Sequence, residues 1–152
     1  MMHPKVVNSK RRRRSNCPIA LSLDLFGDRW SLLIIRDLVF KGRKSFGEFL
    51  AAGEGIATNV LTDRLERLES AGVITRRRDP VNGTKFIYGL TERGIGLVPL
   101  LLEMIAWSGR HDRRTPVSKK FLRELENNRD EVTRRTIRDI RNRPYSSRPG
   151  GR

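Results

Sequence analysis

The sequence is poor in the residues that build disulfides and metal sites. Its 152 residues include one cysteine, Cys17, and two histidines, His3 and His111. A single thiol forms no disulfide within the chain, and one cysteine with two histidines is too few for a zinc site. We therefore expect no metal and no cofactor, and a chain that works in a reducing, cytoplasmic setting.

Long apolar runs and catalytic constellations are also missing. No run of about 18 apolar residues occurs, which predicts no membrane-spanning helix, and no apolar signal segment follows Met1 to Lys5. We therefore expect no membrane partner. The sequence shows no Ser/His/Asp set, no paired carboxylates in an apolar setting and no phosphate loop, so we do not expect an enzyme.

Positive charge is abundant and unevenly placed. The net charge of +15 predicts a polyanionic partner, with DNA or RNA first and an anionic membrane surface second. Residues 1–16 hold six basic and no acidic side chains, residues 17–109 twelve and eleven, and residues 110–152 fourteen and six. This distribution predicts that the ends attract phosphate without regard to sequence, while the central part reads bases.

A leucine stripe marks the helix around which the chain is organised. Leu61, Leu65 and Leu68 recur at spacings of four and three, so they share one face of a helix. Thr58 is the expected N-cap and Gly72 the expected C-terminal stop. Small polar residues lie on the opposite face near the N-terminus, as in a recognition helix, although a plain amphipathic packing helix has the same pattern.

The segments before this helix complete a helix-turn-helix. Residues 18–26 form an apolar helix that begins at a proline, and Asp28 is placed to cap a second helix over residues 29–39. Ser45 is placed to cap a short third helix, and the turn at residues 53–55 contains two glycines. A short helix, a turn with glycine and a second helix define the motif.

After Gly72 the apolar period changes to two residues. This change predicts strands over residues 73–79 and 85–90, joined at Asn82-Gly83, the favoured pair for a type I′ turn. A basic hairpin directly after a recognition helix is the wing of a winged helix, whose cations straddle a phosphate backbone. The other interpretation is an ordinary solvated hairpin.

The segment from Thr91 predicts a long apolar helix with more apolar surface than one small domain needs. The excess favours a second copy of the chain, with residues 18–26 as the neighbouring helix. A symmetric dimer would place two recognition helices on successive turns of DNA, about 34 Å apart. The expected interface residues are Ile19, Leu23, Leu101, Leu102, Ile105 and Trp107.

These patterns together predict a mainly α fold with a small β-hairpin. It is a winged helix-turn-helix with a three-helix core, a wing, a long C-terminal dimerisation helix and an extra C-terminal helix. We assign residues 1–16 to a disordered basic arm, residues 17–110 to the winged domain and residues 111–152 to a basic extension that is helical in part over residues 118–143. The arm is either a solubilising tail or a segment that lies along the phosphate backbone or in a minor groove.

Several spaced motifs resemble one family, the HxlR-type winged helix-turn-helix regulators. The resemblance covers about residues 17–110 and implies dimeric bacterial or archaeal transcription regulators whose first and last helices form the dimer. The basic arm and the long C-terminal extension depart from the short chains common in that family. The matching motifs are Phe26-Gly-Asp-Arg-Trp30 with the following Ser31 to Leu38, Phe46 to Leu50, Gly55 to Ile74, Tyr88 to Thr91, Gly94 and Trp107.

The candidate DNA contacts fall in three groups. Residues at the start of the leucine-striped helix would face the groove, where Asn59 could pair with an adenine edge. Arg64 and Arg67 would reach phosphates, although Arg67 could instead pair only with Asp63, four residues earlier. Residues at the start of the short helix that Ser45 caps, and residues of the wing, would contact the phosphate backbone of DNA. The candidates are Lys44, Ser45, Thr58, Asn59, Thr62, Asp63, Arg64, Arg67, Arg76, Arg77, Arg78 and Lys85.

Cys17 is a candidate redox sensor. It is expected at a helix N-terminus, where amide dipoles stabilise a thiolate, and the basic run Arg11–Arg14 would act in the same direction. The resemblance adds that some family members use a cysteine before the first helix to sense oxidants or electrophiles. The other interpretation is a small buried residue without chemistry.

The sequence thus predicts a transcription regulator that binds a specific, pseudo-palindromic DNA site as a homodimer. A small-molecule effector or a redox response stays open. The alternative is a non-specific nucleoid-type or RNA-binding protein, in which the basic extensions dominate and the winged helix serves as a dimerisation module. The two differ in salt response, because only a specific regulator keeps its sequence preference as salt rises.

Overall fold

The computed structural model describes residues 15–143. The rest of the predicted arm, residues 1–14, and the tail, residues 144–152, lie outside the described residues. A π-helical turn, Asp37–Lys41, directly follows the helix that ends at Arg36. The elements in chain order are α1 (Pro18–Phe26), α2 (Arg29–Arg36), α3 (Phe46–Leu50), α4 (Thr58–Ser70), β1 (Ile74–Arg78), β2 (Phe86–Leu90), α5 (Glu92–Ile95), α6 (Val98–His111), α7 (Lys119–Asn127) and α8 (Arg129–Asn142).

Side-chain caps begin four of the eight α-helices that the structure describes, namely α2, α3, α5 and α7. The Asp28 carboxylate accepts hydrogen bonds from the amides of Trp30 at 2.8 Å and Ser31 at 3.0 Å, as predicted. Ser45 caps α3, also as predicted. The prediction for Thr58 was wrong, because Ala57 is already extended and is the N-cap of α4, with no capping bond from a side chain. The Thr58 hydroxyl is therefore not consumed by capping.

The wide turn after α2 receives a contact from the far end of the chain. The helix predicted to run to Val39 is α-helical only to Arg36, and the π-turn that follows ends at Gly42 with φ +63°. The Arg143 guanidinium donates to the carbonyl oxygens of Leu38 at 2.5 Å and Val39 at 2.6 Å. The C-terminal extension is thus fastened to the winged domain.

The hydrophobic core runs through both the winged domain and the extension. Leu61 and Leu68 of α4 and Leu102 of α6 are fully buried, and Leu125 of α7 and Val132 of α8 belong to the same cluster. Ser118 caps α7, and Asn128 separates two helices where one was expected over residues 118–143. Among residues 15–143, no helix has the length and apolar composition needed to cross a bilayer.

The hairpin follows α4 as predicted, with a different turn. Its strands pair antiparallel, from Ile74 opposite Leu90 to Arg78 opposite Phe86. The type I′ prediction was wrong, because Gly83 does not have the positive φ that this turn requires. Instead the Asn82 carbonyl accepts from the Lys85 amide at 2.9 Å, and the Asn82 side chain accepts from Thr84. The wing therefore ends in a longer loop.

The single long helix predicted after Thr91 is split in two. Thr91 caps the short helix α5, and α6 begins at Val98 with a proline in its first turn. A Cβ at Gly94 would clash with the carbonyl oxygen of Val73, so glycine lets α5 approach the start of the hairpin closely. The break redirects α6 across the core towards α7 and α8.

The expected dimer surface is partly covered by the chain itself. Leu101 and Leu102 are only 6% and 0% exposed, so neither is open to a second chain. They were predicted as interface residues, and this was wrong because the core of the single chain takes them up. Ile19 on α1 is 71% exposed and Trp107 on α6 is 59% exposed, and Leu23 is also open, while Ile105 is partly buried.

Candidate nucleic-acid interface

The first half of α4 presents a polar surface to solvent. Its buried leucines anchor the opposite face of the helix in the core. The Thr62 hydroxyl donates to the Thr58 carbonyl at 3.0 Å, which leaves the Thr62 oxygen able to accept a further hydrogen bond. The structure brings together the four predicted groove residues, all of them exposed: Thr58, Asn59, Thr62 and Asp63.

The second half of α4 has a different charge. Glu66 and Glu69 are exposed there, and the Glu69 carboxylate lies 3.5 Å from the Arg76 guanidinium on the wing. Acidic side chains repel phosphate, whereas the positive end of the helix dipole lies at the N-terminus. Only the N-terminal half of α4 is therefore suited to lie against a duplex.

The arginine predicted to follow the groove residues is tied into the domain instead. The Arg64 Nε lies 3.0 Å from Asp28 Oδ1, and Arg64 also forms an ion pair with Asp63. Its side chain is only 21% exposed. Arg64 thus joins α4 to the start of α2, because the N-cap carboxylate of α2 faces α4. Spacing along α4 alone did not reveal that partner.

Arg67 is also held by its neighbours. It donates to the Asp24 carbonyl at the end of α1 at 3.3 Å and lies 4.0 Å from the Asp63 carboxylate. The alternative pairing with Asp63 is present at the edge of ion-pair distance. Arg67 therefore joins α4 to α1, and the structure does not direct it to the surface that carries Asn59.

The Asp28 carboxyl is the electrostatic centre of this junction. Burial opposes its ionisation, but the hydrogen bonds from Ser31 and Trp30, together with Arg64, outweigh that effect and lower the pKa of Asp28 to about 2. The Ser31 hydroxyl contributes the shortest of these bonds, at 2.7 Å. Asp28 is therefore ionised at neutral pH and holds α4 against α2.

The wing separates its three arginines by face. Strand register places Arg76 and Arg78 on the same side as Phe86, and Arg77 on the other side, opposite Ile87. The guanidinium carbons of Arg76 and Arg78 lie 4.3 and 5.1 Å from the centre of the Phe86 ring. Ring contact holds these two cations while their side chains stay exposed. Lys85, the fourth predicted wing cation, is exposed at the tip.

The predicted contacts at the start of α3 lie against the hairpin. The Tyr88 amide donates to the Lys44 carbonyl at 2.7 Å, and Ser45 forms an isolated bridge with Ile87. The Ser45 hydroxyl donates to Glu48 Oε1 at 2.9 Å and accepts from the Glu48 amide, so it is engaged by the cap. This segment fixes the wing relative to the helix-turn-helix.

A network of ion pairs joins the turn before α4 to α2, and the sequence analysis did not predict it. Glu54 in that turn lies 2.8 Å from Arg36 and 3.0 Å from Arg29, both on α2. Hydrogen bonding from Arg36 is the main reason that the pKa of Glu54 is lowered. Arg36 and Arg43 also bind the buried Asp37 carboxylate, each at 2.9 Å. No periodic pattern signals partners this far apart in sequence.

Cys17 occupies the predicted position before α1. It is the N-cap residue, Pro18 follows it, and its thiol is exposed. Its amide donates to Ser15 Oγ at 3.0 Å. The interpretation as a buried residue was therefore wrong, and the sensor role stays a prediction. The basic run that was expected to assist it, Arg11–Arg14, lies outside the described residues.

The winged helix-turn-helix fold and the exposed face of α4 define the class of protein, and comparison with known families gives the family. A family described as HxlR-like helix-turn-helix matches residues 25–116. The chain belongs to this family, as the sequence motifs predicted, and it is a DNA-binding transcriptional regulator.

Individual relatives agree with this assignment. An uncharacterised helix-turn-helix-type transcriptional regulator of Synechocystis, sll1512, is 41% identical over 88 residues, which are 58% of this chain and 64% of that protein. The crystal structure of PA1607 superposes with a TM-score of 0.62 at 36% identity, covering 71% of this chain and 74% of that one. The redox regulator HypR in its reduced form gives a TM-score of 0.57 at 31% identity, covering 64% and 95%.

Proposed function

We propose that the chain binds a specific, pseudo-palindromic operator as a homodimer in the cytoplasm. The observation that carries this proposal is the two-sided character of α4, whose leucines are buried while the polar residues of its first two turns are exposed. A helix held in this way can enter a major groove by its N-terminus, as recognition helices do.

The groove residues have complementary hydrogen-bonding capacities. The Asn59 amide offers a donor and an acceptor, the pair that reads an adenine edge, and Asp63 can accept from a cytosine amino group. Thr58 and Thr62 supply hydroxyls and methyl groups suited to thymine. Short side chains of this kind discriminate bases at contact distance, so sequence preference is assigned to this half of α4.

The wing would contact the phosphate backbone beside the groove. Arg77, Lys85 and the two arginines on the Phe86 ring are exposed on the hairpin. Phosphate contacts of this kind fix the orientation of the protein on the duplex without reading bases. Arg64 and Arg67 are left out of the proposed contacts because both are bound to neighbouring helices.

The proposed homodimer uses the apolar side chains that the single chain leaves exposed. Ile19 and Leu23 on α1, and Trp107 on α6, are 71%, 56% and 59% exposed. Exposed apolar residues on two helices support a protein interface. Ile105, half-buried beside them, would lie at its edge.

Selection of bound duplexes from a random pool tests this proposal. We expect one preferred sequence with two related half-sites about 10 base pairs apart. Asn59→Ala should weaken binding by about 1–3 kcal/mol and relax the preference at one position of each half-site. Asn127→Ala, which removes an exposed amide on α7, is the matched control and should leave selection unchanged. Loss of all sequence preference at physiological salt would instead favour the non-specific alternative based on the charged ends.

We further propose that oxidation of Cys17 weakens operator binding. Its exposed thiol supports this, as does the likeness to HypR, which is described as a redox regulator. Two Cys17 thiols of a dimer would give up two protons and two electrons to an oxidant such as diamide and form one disulfide. Diamide should then lower the DNA affinity of the parent but not that of Cys17→Ser. An equal loss of DNA affinity in the parent and in Cys17→Ser after diamide would refute a regulatory role for Cys17.

A further inference from the structure

A cleft opens between α2, α6 and the segment that leads into α7. Its volume is about 880 Å³, within the range of small-molecule sites. Side chains from all three segments make the lining largely apolar. The apolar residues that matter here are Leu32, Phe40, Met104, Ile105 and Phe121. A guest with an aromatic or aliphatic body would therefore be removed from water on several sides.

The polar part of the lining is mainly cationic. Arg29, Arg36 and Lys41 face the cleft together with one carboxylate, Asp28. Asp28 is already engaged by the first turn of α2 and by Arg64. Lys41 is exposed, and its ammonium is paired with no carboxylate among residues 15–143. This distribution of charge complements a guest that carries one negative group.

Part of the cleft wall comes from the C-terminal extension. Val117, Ser118 and Phe121 line the cleft, whereas the family match ends at residue 116. The Ser118 hydroxyl caps α7 by accepting from the Phe121 amide at 3.1 Å, which fixes this wall in place. The cleft thus depends on residues outside the matched segment of the family.

Two ion-pair connections lead from the cleft to the recognition helix. Arg29 and Arg36 both bind Glu54 in the turn before α4, and Asp28 binds Arg64 within α4. An anion that engages Arg29 would compete with Glu54 for the same guanidinium. Binding in the cleft can therefore loosen the turn that sets the position of Thr58 and Asn59.

We propose that this cleft is an effector site for an apolar small molecule with one carboxylate or sulfonate group, and that occupancy lowers DNA affinity. The effect on DNA rests on the function proposed above, whereas binding of the effector does not. The occupant is a small molecule because the cationic lining complements a single anionic group on an apolar body. A helix of a second copy in the cleft is an outcome that the test distinguishes.

The first experiment measures binding without DNA, using the full chain. Fluorescence titrations compare 8-anilinonaphthalene-1-sulfonate with its uncharged analogue N-phenyl-1-naphthylamine. We expect one sulfonate dye per chain, and Lys41→Gln should weaken only the charged dye, by about fivefold. Met104→Glu should weaken both dyes by more than about tenfold, since it places a charge in the apolar lining. Leu100→Glu, the same change one turn earlier on α6 but outside the lining, should weaken neither.

Two results of this titration would overturn the site: no dye binding by the parent, or equal binding by all variants. If the parent binds no dye and light scattering shows that Met104→Glu converts a dimer into a monomer, the cleft is assigned to a second copy of the chain. If circular dichroism shows that Met104→Glu is unfolded, Lys41→Gln on the exposed rim decides the question.

The second experiment adds the selected duplex. Saturating sulfonate dye should raise the Kd of the parent for DNA, and at the same dye concentration Lys41→Gln should show a smaller increase. An unchanged Kd with the dye bound would overturn the coupling to α4. A parent that shows no duplex preference even without dye would refute the proposed function and leave the dye site standing.

Discussion

At the scale of single residues, this protein uses charged side chains more for internal connections than their number suggests. Arg64, Arg67 and Arg36 each bind groups on another segment of the same chain. Exposed ion pairs contribute little, but a pair that also caps a helix, as Asp28 does, contributes more because several donors satisfy one carboxylate. The residues left for DNA are therefore fewer than the basic composition implies.

The lowered pKa of Asp28 predicts a specific pH dependence of stability. Its folded pKa of about 2, against 3.8 ordinarily, means that the ionised carboxylate stabilises the fold above about pH 4. This contribution is lost as the pH falls from about 4 to about 2, and it amounts to about 2 kcal/mol. Asp28→Asn should lower the free energy of unfolding by about that amount at pH 7 in urea denaturation.

The difference between Asp28→Asn and the parent should shrink as the pH is lowered from 5 to 3. Asp139→Asn, an exposed change on α8, is the control and should shift stability little at any pH. A destabilisation by Asp28→Asn that stays constant over this pH range would contradict the assigned pKa.

At the scale of elements, the helices after α6 are part of the domain. Leu125 of α7 is 0% exposed, Val132 and Ile140 of α8 are buried in the same cluster, and Arg143 binds the carbonyls of the π-turn. A wide turn leaves main-chain carbonyls without their usual partners, and the guanidinium satisfies two of them. The extension thereby packs on part of the α6 surface that the sequence assigned to a second chain, while Trp107 on the same helix stays exposed.

Truncation of one buried leucine tests whether the extension belongs to the core. Leu125→Ala should lower the free energy of unfolding by about 2–5 kcal/mol, because it leaves a cavity between α6, α7 and α8. Leu50→Ala on α3, where the side chain is 38% exposed, should cost less than about 1 kcal/mol. Urea unfolding monitored by circular dichroism measures both. If Leu125→Ala and Leu50→Ala lowered the free energy of unfolding by the same small amount, α7 would not be part of the hydrophobic core.

At the scale of the whole molecule, the excess positive charge lies at the two ends of the chain, whereas the proposed base-reading residues lie in the central region. The central region is nearly neutral while both ends are strongly basic. In the proposed function, the acidic second half of α4 leaves the N-terminal half of that helix as the part that approaches DNA. On that proposal, the basic ends add affinity without changing the sequence preference assigned to Asn59 and Thr62.

Deletion of residues 1–14 separates these contributions. The segment holds six basic side chains, so its removal should reduce the dependence of log Kd on log salt concentration, each lost phosphate contact lowering the slope by about 0.9. The selected sequence should stay the same. Filter binding or fluorescence anisotropy between low and physiological salt measures the slope, and repeated selection measures the preference. A changed preference would show that the arm reads bases.

Local patterns in the sequence were sufficient for the fold class, the family and most helix starts. The leucine stripe of α4, the caps at Asp28, Ser45 and Thr91, and the change of period at the hairpin depend on neighbours a few residues apart. Such neighbours contact each other in any fold that contains the element, so spacing alone predicts them. The exposed polar face of α4 follows from the same argument.

Tertiary structure alone decided which charged and apolar side chains remain exposed for binding a partner. Arg64 forms an ion pair with Asp28, and Glu54 forms ion pairs with two arginines of α2. Leu101 and Leu102 are buried in the core. These partners are distant in sequence, and their side chains carry no periodic signal that would identify one another. The amino-acid sequence thus determined that the amphipathic helix α4 and the hairpin would form. The packing of distant segments determined which of their side chains stay exposed.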